Sequence, residues 1–313
     1  MTRILAEPLD RYFKIYEQIY NNPFISINEI AQNTKIAKST VSRDLTKMNS
    51  GFMYGPIICL KSVKNCHQYM HFLRVDSPLS AYQYCKEVPS VVYTCLALGS
   101  WNLFLVSEKD IDISFLKGFR EYIVRGVKGG TYLSKVRTVD WDQSVEKMYS
   151  MLETPKEKSY LYEEGPEILW GKKEWMLYHA FKYNVRIPVA PTLEKLGIHY
   201  RQYKKWLQSL SAYARVQVSF HPRGWGNYSE SDLLFKSDYQ RQIADILGQF
   251  PSTSFFSSVG KYLLARVSVT DKGEREELIT LIYEMGEKGY FTDFYHALVI
   301  FVAGDNLETG GTE

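Results

Sequence analysis

The sequence predicts an α+β fold in which one unit, a helix-turn-helix with wing strands followed by a βαββαβ domain, occurs twice in tandem. Three observations predict it: an offset that aligns the two halves, a compact helix-turn-helix pattern in each, and an ordered run of strand and helix signals behind it.

A shift of 162 residues lays Phe13 on Trp175, Tyr16 on Tyr178, Ile36 on Ile198, Val41 on Tyr203, Leu45 on Leu207 and Met48 on Leu210. The same shift carries Asp76 to Asp238 and Pro89-Ser90 to Pro251-Ser252, and after a one-residue deletion Gly99 meets Gly260. An apolar register kept at one offset is the mark of an internal repeat. Length agrees, because 313 residues exceed what one small core organises and suit two to four domains. With 45% apolar residues, including 24 Tyr and 16 Phe, the chain can bury several cores and is globular.

Some function classes are disfavoured. No apolar run reaches the roughly 18 residues of a membrane span, and the opening MTRILAEPLDRYF carries acids and lacks the apolar stretch of a secretory signal. A cytoplasmic protein with no membrane partner is expected. Cys59, Cys66, Cys85 and Cys95 show no Cys-x-x-Cys spacing, so neither a metal site nor a disulfide is expected. The net charge of +3 says little, since a nucleic-acid binder is recognised by where its cations cluster.

Each half opens with an amphipathic helix, marked by Leu9, Phe13, Tyr16 and Tyr20 in the first and by Trp175, Tyr178 and Phe181 in the second. Two shorter helices follow, and then the extended stretches Gly55 to Leu60 and Arg215 to Phe220 read as wing strands. In the first half the remaining elements are predicted at His71 to Asp76, Leu79 to Glu87, Val91 to Leu98, Asn102 to Ser107, Ile113 to Ile123 and Tyr132 to Val139. In the second they fall at Asp232 to Ser237, Tyr239 to Gln249, Thr253 to Val259, Tyr262 to Val269, Glu274 to Glu287 and Thr292 to Val302. Strand, helix, strand, strand, helix, strand is the ferredoxin-like βαββαβ order, an antiparallel sheet with helices on one face. Its other face needs a partner.

The predicted organisation is a winged helix-turn-helix at 1–65, a ferredoxin-like regulatory domain at 66–141, a linker at 142–171, a second winged helix-turn-helix at 172–227, a second regulatory domain at 228–304 and a disordered tail at 305–313.

The sharpest local signal is ISINEIAQNTKIAKSTVSRDLTKMN, Ile25 to Asn49. Ser26 and Glu29 form a capping box that opens a short helix. Asn33 to Ala37 makes the turn with Ile36 as its apolar plug, and Lys38 to Asn49 makes the next helix with Val41, Leu45 and Met48 inside. Lys38, Ser39, Thr40, Ser42, Arg43 and Lys47 lie outside. Four cations against one acid, Asp44, occur from Lys35 to Lys47. Short polar side chains let such a helix sit deep in a major groove, Arg43 can fork onto guanine, and Lys35 and Lys47 suit phosphates.

The second copy, TLEKLGIHYRQYKKWLQSLS from Thr192 to Ser211, turns at Gly197-Ile198 and directs Tyr203, Leu207 and Leu210 inward. Tyr200, Arg201, Gln202, Lys204 and Lys205 form an acid-free outer face, with Tyr200 and Trp206 bulky for a groove. DNA contact and a dimer or domain contact both remain open for this head. Arg223, in the loop His221 to Gly226, is a candidate for minor-groove or backbone contact, although an ordinary surface turn is an equal reading.

In this order, helix-turn-helix, wing strands and βαββαβ domain resemble the leucine-responsive regulatory (Lrp/AsnC) family over Leu9 to about Asp140, and more faintly over Lys172 to about Gly304. The resemblance implies a sequence-specific regulator of transcription that binds double-stranded DNA and a small-molecule effector. It implies an effector pocket at the family's Gly-x-Tyr-Asp turn, here Gly99, Trp101 and Asn102 in the first copy and Gly260 and Tyr262 in the second. The acidic position is Asn102 and Leu263 here. Family dimers pair the open sheet faces, so a tandem chain implies an intramolecular pseudo-dimer, with a true homodimer left open.

Siroheme decarboxylases are similar in architecture and act on a tetrapyrrole. Arg74, His71, Arg120, Arg125 and His296 are the candidates for holding propionates or moving a proton on that alternative. A third reading is a protein-interaction module with repurposed helix-turn-helix domains. No phosphate loop, nucleophile elbow or zinc-protease motif occurs, and an enzyme has no reason to keep the Lys38 to Lys47 face so poor in acids. The expectation is therefore a regulator without cofactor and without enzymatic activity.

Overall fold

A computed structural model describes residues 8–304. The expected tail at 305–313 lies outside the described residues.

The first head consists of α1 (Leu9–Asn21), α2 (Ile27–Thr34) and α3 (Lys38–Asn49) followed by β1 (Met53–Leu60). Apolar side chains at helical spacing place Tyr12, Ile15, Tyr16 and Ile19 on the buried side of α1. They meet Ile30 of α2 and Val41, Leu45 and Met48 of α3 in one core. The capping box forms: Glu29 N–H donates to Ser26 Oγ at 3.2 Å, and Ser26 N–H donates to Glu29 Oε2 at 2.9 Å. Those bonds hold the Glu29 carboxyl below its usual range.

Next come β2 (Ser62–Val63), β3 (Tyr69–Val75), α4 (Pro78–Lys86), β4 (Val91–Gly99), β5 (Leu103–Ser107), β6 (Phe119–Val127), β7 (Tyr132–Leu133), α5 (Trp141–Leu152) and β8 (Glu164–Gly165). The second head is α6 (Lys172–Phe181), α7 (Val189–Leu196), α8 (Tyr200–Tyr213) and β9 (Ala214–Phe220). The described residues end in β10 (Ser229–Lys236), α9 (Gln240–Leu247), β11 (Phe255–Val259), β12 (Tyr262–Val269), α10 (Lys272–Glu287) and β13 (Asp293–Gly304).

Nine strands form one sheet in the order β6-β3-β5-β4-β13-β10-β12-β11-β7. Numbered within each half, β6-β3-β5-β4 and β13-β10-β12-β11 both read 4-1-3-2, antiparallel at every step. The halves meet edge to edge where β4 pairs with β13. Beyond Val127 the chain crosses to the free edge of β11, pairing Lys128 with Val259 and Tyr132 with Phe256. The inner sheet faces share one apolar cluster, Phe72, Trp101 and Phe104 from one half with Leu234, Leu264 and Ala297 from the other. The unpartnered faces thus cover each other within the chain, while α4 packs outside the first half and α5, α9 and α10 outside the second.

Three expectations need correction. Ile113 to Ile123 is a loop running into β6 instead of a helix. Gly118 explains it: its φ is +80°, and a Cβ there would come within 2.9 Å of the Asp76 side chain, so the chain breaks where a helix would continue. The aromatic and β-branched run after it then favours a strand. Tyr132 to Val139 yields only the two-residue β7, paired with the other half. The wing strands form, but with each other: β1 and β9 are antiparallel, Met53 opposite Phe220 and Leu60 opposite Ala214. As α3 leads into β1 and α8 into β9, the second and third helices of the two heads approach this ribbon from opposite ends. The segment expected as a linker with some helix carries α5, whose Met148 and Leu152 join the core beneath α9 and α10.

Candidate nucleic-acid interface

The outer face of α3 is open to solvent. Lys38, Ser39, Ser42, Arg43 and Lys47 are exposed, as is Lys35 in the preceding turn, and Thr40 is half-buried. Lys35 has a φ of 57°, the left-handed conformation that turns the chain sharply between α2 and α3. Asp44, which the sequence places among the cations, faces inward. Its side chain is 2% exposed and accepts a hydrogen bond from Arg11 Nε at 2.9 Å, with Arg43 Nε 3.7 Å away. The exposed face from Lys35 to Lys47 is therefore acid-free. Val41, Leu45 and Met48 hold the opposite side in the core, so the helix is fixed in rotation as well as position.

The second head differs in chemistry. Tyr200, Arg201, Lys204 and Lys205 are exposed, Gln202 is half-buried, and the Lys204 ammonium lies 5.3 Å from the Tyr200 ring centre. Trp206, read from sequence as a bulky surface residue, is buried beside Leu177, Phe181 and Tyr203. It packs this head and leaves Tyr200 as the exposed aromatic of the pair. The heads are tied together as well, because Arg186 Nη1 donates to the carbonyls of Pro23 at 3.2 Å and Ile25 at 2.6 Å.

Arg223 is not a free cation. Its guanidinium pairs with Glu274 at 2.8 Å and donates to the Thr270 hydroxyl, anchoring the loop to the start of α10. Trp225 Nε1 donates to His221 Nδ1 at 3.0 Å in the same loop.

The two turns expected to bind effector have different fates. Trp101 is fully buried with its ring edge-on to Phe72. The Asn102 side chain accepts from Val75 N–H at 3.0 Å and donates to Val75 O at 2.8 Å. Gly99 lies so close to β13 that a Cβ would stand 2.3 Å from the His296 carbonyl oxygen. Gly99 thus packs against the other half, while Trp101 and Asn102 are held within the first. Gly260 and Tyr262 instead border a cavity of about 690 Å³ with His67, Arg125, Lys236 and Lys261. Arg125 is held by Asp110 at 2.5 Å and Lys236 by Asp293 at 3.0 Å. His67 Nδ1 is buried without a hydrogen-bond partner among the described residues. His67, Lys236 and Tyr162 were not foreseen, because they reach this cavity from separate stretches of chain.

Of the tetrapyrrole candidates, His71 and Arg125 face each other across β3 and β6, but the five do not meet in one cavity. His71 is buried against Ser107, Arg74 donates to Ser100 O, Arg120 pairs with Asp76, and His296 lies near Ser231; Arg125 alone of the five borders this cavity. No group of three or more potential metal ligands occurs among the described residues, and no helix among them is long and apolar enough to cross a membrane.

Residues 10–49 match the winged helix-turn-helix DNA-binding family, a match confined to the first head. No curated protein matches the sequence. Among solved structures, the crystal structure of the siroheme decarboxylase NirDL is similar with a TM-score of 0.54 at 13% identity, over 93% of this chain and 91% of that one. The same enzyme in co-complex with an iron-uroporphyrin III analogue gives a TM-score of 0.53 at 11% identity, over 92% and 90%. At such identity the likeness is one of fold. It still corrects the expectation of a non-enzyme, because a similar fold over nine-tenths of the chain carries a decarboxylase, so acid-poor helices and missing motifs do not exclude catalysis.

Proposed function

We propose that the chain is a sequence-specific DNA-binding transcription regulator of Lrp/AsnC type, with α3 as its recognition helix. The exposed, acid-free face from Lys35 to Lys47 supports this most, on a helix held by a buried inner face and lying wholly within the matched residues 10–49. Ser39, Thr40 and Ser42 keep the face shallow, Arg43 is placed for a bidentate bond to a base edge, and Lys35, Lys38 and Lys47 surround it for phosphates. With α8 as a second, aromatic-edged contact at the other end of the β1–β9 ribbon, the two heads suit an asymmetric site.

The test begins with genomic fragments selected by the full chain. On the best duplex, Arg43→Ala is expected to weaken binding by about 1–3 kcal/mol and to broaden the accepted sequences at one position. Equal affinity and equal selectivity in the variant would remove α3 from the recognition role.

A second reading is a tetrapyrrole-carboxylate protein, enzyme or effector-binder, using the cavity at Gly260 and Tyr262. Lys261 and the unpartnered His67 Nδ1 fit carboxylate groups there, beside Arg125 and Lys236 in their ion pairs, and a fold neighbour holds an iron-uroporphyrin III analogue. Titrating the full chain with siroheme should then give a saturable change in the visible absorbance that Lys261→Glu weakens. A spectrum equal to the sum of its components would dismiss this reading.

A further inference from the structure

A second cavity, of about 490 Å³, lies on the outer face of the sheet between α10 and strands β10 and β13, away from both heads. Its wall runs along α10 from Arg275 to Glu287, so the slot is roughly 18 Å long at the helical rise. The packing explains it. One side of α10 buries Leu278, Leu281 and Met285 in the core, while Ile279 and Tyr283 on the neighbouring side remain 43% and 72% exposed. Below them, Leu233 and Phe294 give an apolar floor, and His296 Nε2 lies 3.2 Å from Ser231 Oγ. Burial pushes the His296 pKa down, so the floor carries no charge near neutrality.

Charge sits at the ends. At the amino end of α10, Glu274 is taken by Arg223 and by Thr270, whose N–H and hydroxyl both donate to it, while the Arg275 guanidinium has no carboxylate partner among the described residues. An anion there would meet both the guanidinium fork and the positive end of the helix dipole.

We propose that this slot binds a long-chain aliphatic carboxylate, with its chain along Ile279, Ile282 and Phe294 and its carboxylate on Arg275. Length, apolar lining and one unpaired cation at one end select an unbranched amphiphile over a compact polar metabolite. The site is independent of α3 and of the cavity at Tyr262, so its failure and theirs are separate.

The full chain should bind dodecanoate saturably by calorimetry below the micellar range, and each added methylene from decanoate to tetradecanoate should tighten binding about fourfold. Arg275→Gln should weaken dodecanoate tenfold or more while leaving dodecanol unchanged. Ile279→Asp, at an exposed position, should weaken both. No saturable binding, no dependence on chain length, or equal dodecanoate affinity in Arg275→Gln would each overturn the proposal. So would binding to phosphatidylcholine vesicles without binding of free dodecanoate. A dimer dispersed by Ile279→Asp with no dodecanoate uptake would make the slot a contact between copies instead.

Discussion

Replacing Asp232 with Ala is expected to destabilise the protein by about 2–4 kcal/mol, because it leaves a buried guanidinium with only the more distant Glu230 carboxylate. Asp232 on β10 is fully buried, and it takes both arms of the Arg266 fork from the facing position on β12, at 2.7 and 2.9 Å. The third arm crosses to the other half, where Arg266 Nη1 donates to the Tyr93 hydroxyl of β4 at 2.5 Å. Burial pushes Cys95, 3.7 Å from Nη2, up to about 12 and raises Tyr93 well above its ordinary value, so neither supplies a negative charge, and Glu230, 3.8 Å from Nη1 and more exposed, offsets the loss of Asp232 only in part. Urea unfolding of the single variant should show the loss. The double variant Asp232→Leu with Arg266→Met should recover most of it, since matched apolar side chains often serve as well as a buried ion pair. A single variant as stable as the parent would mean that water reaches Arg266 and that the halves are not sealed at this point.

That joint shows where sequence reasoning reaches and where it stops. Asp232 lies in a strand that alternation marks correctly, yet nothing local to it or to Tyr93 tells that β4 and β13 will share an edge. The same holds for β1 and β9, whose pairing joins residues some 160 positions apart. Local rules worked where the physics is local: a capping box, a turn and apolar spacing of three and four placed α3 at Lys38–Asn49 as expected. They failed at Ile113 to Ile123, where the apolar count fitted a helix but Gly118, lodged against Asp76, ends one. Burial was underestimated at two positions. Asp44 turns inward to Arg11, and Trp206 turns inward among Leu177 and Phe181, because a helix carries a wider buried stripe than three anchor positions suggest. At the turn of Trp101, glycine and an aromatic persist, with Phe72 and β13 packed against them. The cavity at Tyr262 was half legible, through Gly260 and Tyr262. Arg125 and Lys236 come from strands whose neighbours only the closed sheet defines.

Acid should begin to destabilise this protein above the pH at which most carboxylates titrate, because buried histidines are held neutral, His71 and His221 most strongly. The Ser107 hydroxyl donates to the Lys109 carbonyl at 2.6 Å, so Ser107 Oγ accepts from His71 Nε2 at 2.9 Å. His71 Nδ1 is then left as a bare acceptor, buried with no partner among the described residues. Protonating it would bury an uncompensated charge, and burial first, then the nearby Arg125, pushes the His71 pKa down to about 4. At His221, Nδ1 is already occupied as the acceptor of Trp225 Nε1–H, and burial lowers that pKa to about 4 as well. An unfolded histidine titrates near 6.5. As pH falls through 6.5 the unfolded chain gains two protons that the folded chain refuses until about pH 4. Stability is therefore full above pH 6.5 and declines below it by up to about 1.4 kcal/mol per pH unit for each ring, about 3–5 kcal/mol in all by pH 4.5. Urea midpoints measured from pH 7.5 to 5 should fall accordingly. His71→Gln, which keeps a donor for Ser107 but cannot take a proton, should remove about half of the slope between pH 6 and 5. A variant with the parent's full slope would show that His71 titrates normally, and would place its ring in water instead of between β3 and β5.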